Sequence, residues 1–335
     1  MSRGRAPGAV GAVLAGTVLA GTVLAGAVLA SCSTTPAPEK ASTVVVVHDS
    51  GDLAGALSGA VPGETIRVAP GSYPGSFTAS ATGTRSKPIV LTGTPAAVLD
   101  GGTSGYTLHL DNASWWRIRG VTIKGGQKGI VLDGTTHTVI RGVHVTGTEE
   151  EGVHLRSASS DDTLEGLRID HTGLQDTFFG EAVYIGSALE NWCQYSGCKP
   201  DHSNGDQVLS STFGPDVTAQ DIDVKEGTSG GRIVGNHFSG VGMTDSRAWV
   251  QVKGNGWTVD DNVGSVSSDA GFQVLELVPG WGRHNVFESN TLDGPARGYA
   301  IWIQDGAIAN VVGCSNRATG FRAGLANRVC TAAGP

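Results

Sequence analysis

Ile130-Val131-Leu132-Asp133, Val153-His154-Leu155-Arg156, Val183-Tyr184-Ile185-Gly186, Ile222-Asp223-Val224-Lys225 and Val250-Gln251-Val252-Lys253 share one form. The first and third residues of each are apolar, and the second is free to differ. Leu108-His109-Leu110-Asp111, Phe272-Gln273-Val274-Leu275 and Ile301-Trp302-Ile303-Gln304 extend the series to both sides. Successive starts lie 22, 23, 30, 39, 28, 22 and 29 residues apart, a base period near 22 with insertions of varied length. Behind each segment runs a second short apolar stretch. It ends at Gly120, Gly142, Gly166, Asn236, Asn262, Asn290 or Asn316, residue types that tolerate left-handed backbone. Repeats of this length without helical periodicity predict a parallel β-helix, in which each coil buries its apolar positions by stacking on its neighbours. The fold class expected is therefore all-β, a single solenoid, with the asparagines hydrogen-bonded along the stack.

Composition agrees. Glycine supplies 51 of 335 residues without a Gly-X-Y period, which excludes collagen, and 39% of the chain is hydrophobic, which excludes wholesale disorder. The net charge of −8 gives no electrostatic support to nucleic-acid binding.

Before the repeats, Arg3 and Arg5 precede an apolar run from Ala9 to Ala30, followed by Leu29-Ala30-Ser31-Cys32. This reads as an export signal over residues 1–31, and its end resembles a bacterial lipobox with Cys32 as the lipidated residue. A tether over 32–42 and a β-helix over 43–335 complete the organisation. The expected location is extracellular, on the cell surface, with the lipid at Cys32 as the only membrane attachment and the protein a monomer. The run Leu53, Ala56, Leu57 and Ala60 after Asp49-Ser50 predicts a short helix capping the open N-terminal end. Cys193, Cys198, Cys314 and Cys330 suit two disulfides in an oxidising compartment. Proximity favours Cys193 with Cys198 and Cys314 with Cys330, although four cysteines allow three pairings and zinc is a weaker alternative.

If the first and third positions of each strand point inward, the residues beside them form an outward grid with neighbouring coils about 4.8 Å apart. Its rows read Gly152/His154/Arg156, Ala182/Tyr184/Gly186, Asp221/Asp223/Lys225, Trp249/Gln251/Lys253, Gly271/Gln273/Leu275 and Ala300/Trp302/Gln304. Acids, bases and aromatics converge in the middle. Lys225 stacks below Lys253, with Arg156 two coils lower, and like charges about 5 Å apart depress a lysine pKa. Lys225 is the candidate base, with Lys253 and Arg156 as carboxylate-binding cations. Asp221 and Asp223, with Glu181, bring carboxylates beside the lysines. His154, Tyr184, Trp249, Gln251, Gln273 and Trp302 are candidate substrate contacts, the flat rings for stacking on sugars. Trp115, Trp116 and Trp257 read as structural. The long insertion Leu189 to Gln220, carrying Cys193 and Cys198, is expected to wall the cleft.

The entry segment, coil period and asparagine column resemble the right-handed parallel β-helix enzymes of polysaccharide processing: pectate lyases, chondroitinase B, alginate lyases and epimerase relatives. The resemblance spans roughly residues 43–330. It implies β-elimination on a pectate-like, uronic-acid-containing anionic polymer, with a lysine or arginine base, here Lys225, and an acidic cluster that holds calcium, here Asp221 and Asp223 with Glu181, whose hard oxygen donors suit that ion. The segment Asp221-Ile222-Asp223-Val224-Lys225-Glu226-Gly227 looks like the acid-rich strand of some pectate lyases, though its spacing is not a full match. Two other classes remain open at this point. One is a hydrolase or epimerase using carboxylates among Glu181, Asp221, Asp223 and Glu226, and the other is a non-catalytic carbohydrate-binding β-helix.

Overall fold

The computed structural model describes residues 43–332. They form one parallel β-solenoid in which each full coil gives one short strand to each of three sheets, of 11, 10 and 10 strands. The export signal, its lipobox cysteine and the whole tether lie outside the described residues.

The strands are short because the chain must turn a corner three times per coil, so each strand holds only the inward and outward alternation of a few residues. On one sheet the inward first positions Ile130, Val153, Val183, Ile222, Val250, Phe272 and Ile301 stack in register and are fully buried. Each such side chain contributes about 1.5–3 kcal/mol relative to exposure, but only while the coil above and the coil below cover it. At the N-terminal end this cover comes from the helix Ser50–Ser58. The Asp49 side chain caps it by accepting from the Asp52 N–H, while Leu53 and Leu57 close the stack.

The asparagine column is present and buried. Nδ2 of Asn236 donates to Oδ1 of Asn262 (3.0 Å), Asn262 to Asn290 (2.9 Å) and Asn290 to Asn316 (2.8 Å). One detail differs from expectation. The left-handed position is the residue before Asn236, Asn262 and Asn290: Gly235, Asp261 and Ser289 have φ of 69°, 54° and 54°, in line with Gly120, Gly142 and Gly166 at 75°, 59° and 60°. The asparagines therefore replace not the glycines but the buried apolar residues after them, Val121, Val143 and Leu167.

Both disulfides follow the pairing favoured by proximity, Cys193–Cys198 and Cys314–Cys330. The insertion is shorter than its sequence suggested. Gln207–Leu209 and Thr212–Phe213 are regular strands of the other two sheets, so the excursion proper occupies the residues before them.

Candidate active site

The sheet built from Tyr106–Asp111, Lys128–Asp133, Val153–Arg156, Val183–Ile185, Ile222–Val224, Val250–Val252, Phe272–Val274 and Tyr299–Ile303 carries the predicted grid. Its central outward column is continuous: Val131, His154, Tyr184, Asp223, Gln251, Gln273 and Trp302 pair coil to coil. A groove of three adjoining cavities follows it. The first, about 290 Å³, is lined by Lys128, Glu151, His154 and Arg156 and meets the second at Phe179, Tyr184 and Asn191. The second, about 430 Å³, holds Glu181, Asp223, Lys225, Gln251 and Lys253 and meets the third at Arg247. The third, about 370 Å³, is lined by Gln273, Tyr299 and Trp302. Glu190, Asn191 and Tyr195 of the insertion wall the first two cavities, as expected of that segment.

Two residues of the grid's first column face elsewhere. Trp249 and Asp221 stand just before their strands, where the chain is still rounding the corner, so they and the residues after them both turn inward. Trp249 is fully buried, edge-on to Phe272 with centroids 6.3 Å apart, and its Nε1 donates to the Val266 carbonyl. A Cβ placed on Gly264 would sit 2.2 Å from the Trp249 ring, so this glycine makes room for it. Trp249 is a core residue and not a sugar platform. Asp221 is also fully buried, and both carboxyl oxygens lack a hydrogen-bond partner among the described residues. Burial alone raises its pKa far above the carboxylate range, so it is held neutral, apart from the acids of the groove.

The second cavity centres on Asp223, which is buried. Its Oδ2 accepts from Lys225 Nζ at 2.8 Å and its Oδ1 from Lys253 Nζ. The stacked lysines are thus real, but a carboxylate lies between them, and the electrostatic consequence differs from expectation. Burial pulls Lys225 down, yet Asp223 outweighs it and holds this ammonium firmly charged. Lys253 is more deeply buried and shares the same carboxylate. Burial, with Lys225 adding repulsion, overcomes Asp223 and lowers its pKa to about 8. The weakly held proton belongs to Lys253, not to Lys225. Lys225 Nζ also lies 4.6 Å from the Tyr184 ring centroid, and burial raises the Tyr184 pKa so that the phenol keeps its proton. Glu181 completes the cavity. It is buried, its Oε2 has no partner among the described residues, and desolvation with repulsion from Asp223 and Glu151 lifts its pKa to about 8.

The first cavity is a network of closed pairs. Arg156 makes a bidentate pair with Asp133 (2.7 and 3.0 Å), donates to Tyr106 Oη at 3.1 Å and lies 4.2 Å from the Tyr195 centroid. Lys128 Nζ bonds Glu150 at 2.7 Å and also Glu151. Burial disfavours the Glu151 anion, but His154 and Lys128 outweigh it and lower its pKa to about 2. His154 packs on Tyr184 with centroids 4.5 Å apart, its Nε2 donates to the Gly186 carbonyl at 3.1 Å and its Nδ1 lies 3.4 Å from Glu151 Oε1; burial lowers its pKa and Glu151 opposes the shift. Arg156 is accordingly a wall of the groove with its charge already matched, one cavity away from the lysines.

Sequence reasoning named Glu181 but missed the column it belongs to. Lys128, Glu151, Glu181 and Gln220 stand two places before the first inward residue of their strands, and the backbone links Gly129 to Glu151, Gly152 to Glu181 and Ala182 to Gln220. Past the inward position the chain faces outward again, and the acid pair Glu151 and Glu181 at one offset was its visible signal. The rim residues Phe178 and Phe179 were missed as well, because no repeat places them.

The candidate calcium ligands do not converge. Asp221 is turned into the core, Asp223 is saturated by two ammoniums, and Glu181 is left alone. Among the described residues no three His, Cys, Asp or Glu side chains are placed to hold one metal ion. The donor set does not fit calcium.

No family model and no curated protein matches the sequence. Among solved structures, an alginate lyase from Paenibacillus sp. str. FPU-7 is 30% identical with a TM-score of 0.80, over 86% of this chain and 99% of that one. The chain belongs to the parallel β-helix polysaccharide lyases. The pectate lyase Pel9A is 14% identical (TM-score 0.58, 79% and 72% of the two chains) and a rhamnogalacturonan lyase 10% (TM-score 0.57, 82% and 86%), likenesses of fold alone. This lyase has its charged groove on the central sheet, where the repeat pattern expected it.

Proposed function

We propose that this lyase cleaves a uronic-acid polymer, alginate being the first candidate, by β-elimination over Tyr184 and Lys225. The observation that carries the reading is the junction of the first two cavities, where a phenol that keeps its proton adjoins a lysine pair sharing one carboxylate. Elimination needs a base for the proton α to the carboxylate and a proton for the leaving oxygen. Lys225 is the more accessible amine of the pair and supplies the base. Its neutral form arises when Lys253 has given up its proton to solvent, and Lys225 then passes its own through Asp223 to the Lys253 amine. The neutral Lys225 takes the C–H proton, the electron pair forms the new double bond, and the glycosidic C–O bond breaks. Tyr184 protonates the departing oxygen, and the new Lys225 ammonium restores the phenol. The substrate assignment draws on the 30% identical alginate lyase and on Lys225, Lys253 and Arg247 in the groove. Export and surface anchoring through Cys32 would place the enzyme where such a polymer is met.

A panel of alginate, pectate, glucuronan and glycosaminoglycans tests this. Ultraviolet-absorbing unsaturated ends from alginate are expected. Saturated reducing ends would point instead to hydrolysis.

A further inference from the structure

Glu181 has no use in the scheme above, yet it is the most anomalous side chain in the groove. It is only 4% exposed, it lines the second cavity, and its Oε2 meets no donor or acceptor among the described residues. A buried carboxyl oxygen without a partner costs about 1–3 kcal/mol unless something bonds it, and Glu181 lines the cavity where substrate would lie. No step above assigns a group to receive the charge that the elimination develops. Removing the α-proton drives charge onto the substrate carboxylate, which needs a positive group or hydrogen-bond donor to receive it. The candidate calcium ligands do not assemble, and Arg156 is committed to Asp133.

We infer that Glu181, in its protonated form, donates a hydrogen bond from its carboxyl to the uronate carboxylate beside Tyr184 and Lys225, and so stabilises the charge that develops there. The inference rests on the uronate-lyase reading. In the step, Lys225 takes the proton from carbon and the C–H electron pair moves toward the carboxylate. The Glu181 hydrogen bond strengthens with that charge, and the pair then returns to expel the leaving oxygen. Glu181 itself ends the cycle with its proton. The groups facing Glu181 favour this state: Asp223 and Glu151 repel its anion, Lys225 partly offsets them, and Tyr184 and Lys253 complete the surroundings. With a pKa of about 8 the carboxyl is mostly protonated at neutral pH.

The test compares wild type, Glu181→Ala and Glu181→Gln on the polymer that wild type cleaves, across pH, with thermal unfolding of each variant. Glu181→Ala should lose about 100-fold in kcat, the size of one lost charge-stabilising donor. Glu181→Gln keeps a donor and should stay within about tenfold of wild type near pH 7. Wild-type kcat/KM should rise toward pH 8 as the lysine pair loses a proton and fall above it as Glu181 ionises. Glu181→Gln should keep the rise and lose the fall. Glu181→Ala within about twofold of wild type, or Glu181→Gln with an unchanged alkaline limb, overturns the assignment. Should Glu181→Ala fail to fold, the alkaline limb of Glu181→Gln decides alone. Failure of wild type to yield unsaturated ends from any uronate polymer would sink the lyase reading itself, a different result from a silent Glu181.

Discussion

The first and second cavities of the groove are neighbours on one sheet and are built from the same residue types, but their charges are balanced differently. In the first, Arg156 is paired with Asp133 and Lys128 is held between Glu150 and Glu151, so each cation is fully engaged. In the second, two lysines divide one carboxylate and the Oε2 of Glu181 has no partner among the described residues. Matched buried charges fix a shape, whereas unmatched ones leave a proton that can move. Perturbation toward neutral pH, to about 8 for both Lys253 and Glu181, occurs in the second cavity. Chemistry belongs there, and binding and support belong to the first.

Substitutions should separate the two cavities by kind of effect. The largest is expected at the junction: Tyr184→Phe removes the proton for the leaving oxygen and should lower kcat by about 10²–10³-fold with KM nearly unchanged, measured by initial rates. Next, Arg156→Ala strands the Asp133 carboxylate and should cost about 3 kcal/mol of stability, seen in denaturant unfolding, while raising KM more than it lowers kcat. A catalytic loss without a stability loss would make the first cavity reactive too and erase the contrast. Asp221→Ala should be mildly stabilising, by about 1 kcal/mol, because it removes a buried carboxyl with no hydrogen-bond partner among the described residues. Its activity should be unchanged, since Asp221 faces away from the groove. The smallest effect is that of excess chelator, under which activity should persist; loss of activity restored by added calcium would show that the acids rearrange around a metal.

The coil pattern was legible because inward positions repeat every second residue within a strand and every 22 or so residues along the chain. That same alternation placed His154, Tyr184, Asp223, Gln251, Gln273 and Trp302 correctly in one outward column. It failed at the corners, where Asp221 and Trp249 turn into the core and Glu181 faces out again, since period-two reasoning holds only while the backbone stays extended. The asparagine register slipped by one residue for a related cause: left-handed backbone and buried amide fall on adjacent residues, and glycine and asparagine are plausible at both. The pKa order of the lysines was hidden for a different reason. Stacking was readable from the sequence, but the side chain of Asp223 reaching both nitrogens was not.

Lys225→Ala tests the central claim most directly, with the rate of unsaturated-end formation and polymer binding measured on the same preparation. A fall in kcat of about 10³-fold or more is expected, with binding within about threefold of wild type and a modest loss of stability, because Asp223 loses one of its two ammonium partners and keeps Lys253. Turnover within about tenfold of wild type would contradict it and move the base to another group of the second cavity.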